Sequence, residues 1–141
     1  MRKKLEQEYL ADCLRGRIQY YVTHYREAHD ATGRASIRLD GKEILQGNWF
    51  KSAKYGWPLL NDKLLDLGAF DQGSFNRAFQ EFDNQSIEES LESEDLLVRI
   101  FAILDRRVGK RRLSQMKESI QNEPKNFQAF YMIRMEAENL L

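Results

Sequence analysis

Apolar positions along this chain change period, and the change divides it into two parts. Leu5, Tyr9, Leu10, Cys13 and Leu14 recur at helical spacing, and Gly16 follows where a helix end favours a left-handed residue. The spacing predicts an N-terminal helix. From Arg17 to Tyr25 the period becomes two, with Ile18, Tyr20, Val22 and His24 on one face and Gln19, Tyr21, Thr23 and Tyr25 on the other. Aromatic residues on both faces predict a strand inside a sheet. After a polar stretch ending at Gly33, the segment from Arg34 to Gln46 holds two alternating runs separated by Asp40-Gly41, a pair that favours a type I′ turn. That turn sets Leu39 against Lys42, Arg38 against Glu43 and Ile37 against Ile44, with an apolar pair on one face and an ion pair on the other.

Beyond Gln46 the helical period returns. Gly56, Pro58 and Gly68 punctuate short apolar clusters between Trp49 and Phe70, which predicts a connecting loop and then a helix over about residues 58–67. Ser74 fits an N-cap for a helix carrying Phe75, Ala78, Phe79 and Phe82, and Ser86 with Glu89 fits a capping box. Leu97, Ile100, Phe101, Leu104 and Val108 form a stripe that Leu96 and Ile103 widen, predicting a central helix covered on two sides and ended by Gly109. Leu113, Met116 and Ile120 mark the next helix. Pro124 suits the first turn of a last one carrying Phe127, Phe130, Tyr131, Ile133 and Met135.

The expected fold class is therefore α+β, as a single domain over 1–141. An N-terminal helix and three-stranded antiparallel sheet occupy 1–48, and a helical array of hairpins occupies 58–141. The segments starting at Asp95 and Pro124 echo one another with an offset of about 29 residues, shorter than the roughly 40 of HEAT-type pairs but of the same helix-turn-helix kind. A HEAT-like stack is one expectation. In it Asp105 meets Arg134 across adjacent inner helices as a buried or half-buried ion pair.

Composition narrows the function classes. The chain has 141 residues, with 22 basic and 22 acidic side chains, so no net field draws in nucleic acid or an anionic membrane. The single cysteine, Cys13, excludes an internal disulfide framework and suits a reducing compartment; its place on an apolar helix side reads as a small buried hydrophobe. No apolar run approaches the roughly 18 residues that cross a bilayer, and the N-terminus lacks a signal-peptide pattern, so the expected location is cytoplasmic. With two histidines and one cysteine no soft-metal site is expected, and no cofactor is implied.

Charge is uneven locally. Arg106, Arg107, Lys110, Arg111 and Arg112 crowd one helix-helix turn, whereas the stretch from Glu81 to Asp95 carries seven carboxylates and no cation. The turn is the first candidate binding site. It either contacts phosphates or acidic ligands, or answers the acidic stretch inside the fold and caps the central helix. A second candidate cluster, Tyr25, Arg26, His29, Asp30 and Arg34, lies in and beside the loop joining the first two strands. It suits a loop that binds better than one that catalyses, because no nucleophile accompanies it. No phosphate loop, nucleophile elbow, zinc helix or kinase signature occurs.

The segments Leu14 to Arg17, Thr23 to Arg34, Asp40 to Glu43 and Ile103 to Arg111 resemble those of a family of small uncharacterised bacterial proteins. The resemblance spans most of the chain and implies a bacterial cytoplasmic origin, with no activity to carry over. The leading expectation is a non-catalytic binding protein whose partner is another protein, as a regulator, inhibitor or immunity-type factor. One alternative is a nucleic-acid-binding module using the basic turn at 106–112, and another is an enzyme of unknown reaction at the 25–34 loop. Oligomeric state is left open.

Overall fold

The computed structural model describes residues 1–23 and 33–141. His24, Tyr25, Arg26, His29 and Asp30 lie outside the described residues, so of the second cluster only Arg34 is placed.

Three antiparallel strands, β1 (Ile18–Thr23), β2 (Arg34–Leu39) and β3 (Lys42–Asn48), lie in sheet order β1-β2-β3. Asp40 and Gly41 both take positive φ, 52° and 84°, as a type I′ turn requires. Leu39 faces Lys42 and Arg38 faces Glu43, as the turn dictates. The register then shifts, and Ile37 faces Leu45 instead of Ile44. Ile44 is the extra residue of a β-bulge. It turns outward, and Leu45 takes the core position that strict alternation denies it.

β1 is not inside the sheet but at an edge of it, with β2 in the centre. Its aromatics on two faces have another cause. Tyr20 is buried in the core, while the Tyr21 ring on the outer face lies between the guanidinium groups of Arg2 and Arg38, at 4.0 and 3.9 Å. The edge is covered locally, because the Tyr20 amide donates to the Glu6 carboxylate at 2.8 Å.

The N-terminal helix is interrupted. A π-type turn over Lys4–Tyr9 gives way to extended Leu10 and Ala11, and a short 3₁₀ turn follows at Asp12–Leu14 before left-handed Gly16. Tertiary bonds win here: the Ala11 amide donates to the Leu104 carbonyl, and the Tyr9 carbonyl accepts from the Arg106 amide. Leu5, Leu10 and Leu14 still reach the core, which explains their spacing.

Seven α-helices follow the sheet: α1 (Trp49–Ala53), α2 (Asp62–Asp66), α3 (Gln72–Asp83), α4 (Ile87–Leu91), α5 (Leu96–Ile103), α6 (Lys110–Gln115) and α7 (Lys125–Ala137). The helix expected over 58–67 is confined to α2, and α1 occupies part of the expected loop. α3 is capped by Asp71 and not by Ser74. Ser74 is the third residue of a reciprocal capping box, its amide donating to Asp71 while its hydroxyl accepts from the Asp71 amide. The Ser86 and Glu89 capping box at α4 is as expected.

All of α5 except Arg99 is buried, so it packs on α3, α4 and α7 at once. That hub replaces the expected HEAT-like stack of hairpins. Phe101 meets Tyr20, Phe75 and Phe82 edge-on, with ring centroids 5.4 to 5.8 Å apart, joining sheet and helices in one hydrophobic cluster.

Candidate functional site

α5 stops at Ile103, short of the expected end, and Gly109 opens α6 with extended backbone instead of closing α5. The basic turn is thus an irregular segment, and its shape is held from inside. Arg134 of α7, fully buried, donates to the carbonyls of Ile103 (2.9 Å), Asp105 (2.7 Å) and Val108 (2.6 Å), with the Glu138 carboxylate at 3.2 Å balancing its charge. The expected Asp105–Arg134 ion pair does not form. Arg134 meets the backbone of Asp105, and the Asp105 carboxylate instead accepts from the amide of Arg107 (2.7 Å) and, in bidentate fashion, from Nε and Nη2 of its guanidinium (3.0 and 2.9 Å).

This divides the five cations of the turn. Arg107 is clamped by Asp105 and covers the rings of Tyr9 and Phe82 at 4.9 and 5.5 Å. Arg112 reaches Glu88 of the acidic stretch at 3.2 Å. Arg106, Lys110 and Arg111 are exposed and form no ion pair among the described residues. The turn is partly consumed by the fold, leaving three outward charges that lie over no aromatic ring among the described residues. In the other cluster, Arg34 binds Glu43 and donates to Gln46 at 2.7 Å, and Glu43 is held below the usual carboxylate range by Arg34.

The structure brings together a site that the sequence reading passed over as a connector. Asn48 caps α1 by accepting from the Lys51 amide at 3.1 Å, and the chain leaves α1 through Gly56 and Trp57 at φ 66° and 51°. A left-handed tryptophan is strained, at a cost of roughly 1–2 kcal/mol, and persists only where surroundings hold it. Arg77 of α3 does so. It donates to the carbonyls of Trp57 (2.7 Å) and Pro58 (2.6 Å), and the Trp57 indole donates to buried Asp71 at 3.2 Å. Behind Arg77 lies Asp95, fully buried, 3.9 Å from the guanidinium; burial pushes its carboxyl up to about 6.

What this scaffold presents is apolar. Phe50, Tyr55, Trp57, Leu59 and Leu67 are each 42–52 % exposed, and Trp49 joins Phe50 and Trp57 at centroid distances of 5.3 and 6.5 Å. Exposed large side chains gathered this way mark interaction surfaces. An open cleft of about 420 Å³ beside them is lined by Lys51, Lys54, Tyr55, Asp66 and Leu67. Two signals were present in the sequence: both tryptophans, Phe50 and Tyr55 fall within nine residues, and Lys51 and Lys54 are the only charges between Glu43 and Asp62. The described residues contain no cluster of metal-ligating side chains.

Fold and site define an α+β protein with a small antiparallel sheet backed by helices and an exposed aromatic strap between them. The chain belongs to the SF0329 protein family, whose model matches residues 1–58 and 51–135. The motif resemblance is therefore kinship with an uncharacterised family, to which no activity is assigned. Neither a curated protein nor a solved structure matches the chain. No described helix is long and apolar enough to cross a membrane.

Proposed function

We propose that this is a non-catalytic binding protein of the bacterial cytoplasm that engages another protein, and that the strap from Trp49 to Leu59 is the surface it uses. The observation that carries the reading is Trp57. A bulky residue held at φ 51° by Arg77 and Asp71, yet 44 % exposed, spends conformational strain on display and not on burial. Tryptophan and tyrosine on a preorganised scaffold are the side chains that anchor protein interfaces.

The test is affinity capture from the native cell after cross-linking, with partners quantified for three baits. A partner held by the wild type, reduced at least roughly tenfold by Tyr55→Ala with Trp57→Ala, and retained by Arg106→Glu with Lys110→Glu and Arg111→Glu supports the reading. Capture indifferent to the strap variant, or lost only with the basic-turn variant, overturns it. The second outcome transfers the site to the basic turn.

A further inference from the structure

Resting on the protein-binding reading, we infer that the strap's occupant is a peptide segment of the partner that carries one or two carboxylates beside a large apolar side chain.

Charge complementarity sets the acidic element. Arg77, Arg99, Arg107 and Arg112 each have a carboxylate of this chain within ion-pair distance. Lys51 and Lys54, like Arg106, Lys110 and Arg111 of the basic turn, are exposed and have no such partner among the described residues, but only these two lie beside the exposed aromatics of the strap. They sit three residues apart at the end of α1, a spacing that places both ammonium groups on one side of the turn. Both line the cleft with Tyr55 and Leu67, so a carboxylate held there has an apolar wall beside it. Asp66 shares the cleft, its carboxylate accepting from Asn126 at 2.9 Å. One anion facing two cations leaves room for a short acidic element and repels a long acidic run.

The apolar element follows from what surrounds the lysines. Leu59 and Leu67 are exposed with the aromatics, and branched aliphatic groups suit Leu, Phe or Trp side chains better than the flat faces of bases. A single-strand nucleic-acid groove also tracks successive phosphates with a line of cations, whereas this strap has two. The preset Trp57 lowers the ordering cost of binding a flexible segment.

The experiment pans a random dodecapeptide display library on the full chain, then titrates fluorescein-labelled selected peptides by anisotropy. The expected peptides carry Asp or Glu within two residues of Leu, Phe or Trp. They weaken at least roughly tenfold with Lys51→Glu and Lys54→Glu, and when NaCl rises from about 50 to about 500 mM. Tyr55→Ala, which removes an exposed ring that makes no side-chain hydrogen bond among the described residues, weakens them as well. Selected peptides that need Tyr55 but carry no carboxylates and ignore the lysine variants overturn this inference and leave the protein-binding reading standing. Absence of any Tyr55-dependent peptide overturns both. So does quenching of tryptophan fluorescence by a twelve-nucleotide oligo(U) that competes with the peptides, which assigns the strap to nucleic acid. Circular dichroism melts of each variant separate lost binding from lost folding.

Discussion

The guanidinium of Arg134 donates to the backbone carbonyl of Asp105 at 2.7 Å, while the carboxylate of that aspartate turns away and grips Arg107. One residue thus ties the basic turn to the core by its backbone and orders the turn's surface by its side chain. The turn is a folded object with two of its cations already engaged.

Replacing Arg134 with Met keeps the bulk and strands three carbonyls and the Glu138 carboxylate. The expected loss is about 3–5 kcal/mol, read from urea midpoints, with Arg106→Ala at the surface changing stability by less than about 0.5 kcal/mol. Arg134→Lys is expected to recover only part of the loss, because one ammonium cannot span Ile103, Asp105 and Val108. Equal stability of the Met variant and the wild type would contradict this account.

Asp95 predicts a pH dependence with a definite sign. Burial raises its carboxyl from 3.8 to about 6, with Glu81 reinforcing the shift and Arg77 and the Leu97 amide opposing it. The folded state therefore binds the proton more tightly than the unfolded state. This group's contribution to stability falls as pH rises from about 4 to about 6, then levels. Asp95→Asn keeps the cap on the Leu97 amide and removes the buried charge. Its stability relative to wild type should climb across that window, by up to roughly 3 kcal/mol, and stay constant above pH 7. A difference that is flat from pH 4 to pH 7 would remove the assignment.

Gly47 is required by space and not by backbone angle. A β-carbon there runs into the carbonyl of Phe70 and comes within 2.8 Å of the carbonyl of Gly68. Gly47→Ala should therefore cost about 2–4 kcal/mol, whereas Gly109→Ala, with open space around it, should be near neutral. Thermal melts of the two variants check the contrast.

Cys13 is expected to be a slow thiol. Burial, reinforced by the neighbouring Glu138 carboxylate, pushes it up to about 11, leaving about a hundredfold less thiolate at neutral pH than an ordinary cysteine has. Its reaction with a chromogenic disulfide at pH 7.5 should be slow in buffer and ordinary in denaturant. A fast native reaction would show that the half-buried sulfur is more open than its packing implies.

The features legible in the sequence are those whose hydrogen bonds close within a few residues. Asp40-Gly41 determines its own turn, and Ser86 with Glu89 determines the start of α4. The aromatic spacing of Phe75, Phe79 and Phe82 determines which face of α3 is buried. Where a residue's partner lies far along the chain, tertiary structure decided. The bulge at Ile44 exists because Leu45 is needed in the core. The N-terminal helix breaks because the Tyr9 carbonyl and the Ala11 amide bond to Arg106 and Leu104 just past α5, and α5 stops early where Arg134 takes the Ile103 carbonyl. The strap shows the same division. Its composition is plain in the sequence, but the left-handed Trp57 depends on Arg77 and Asp71, so only the assembled fold turns a connector into an exposed surface.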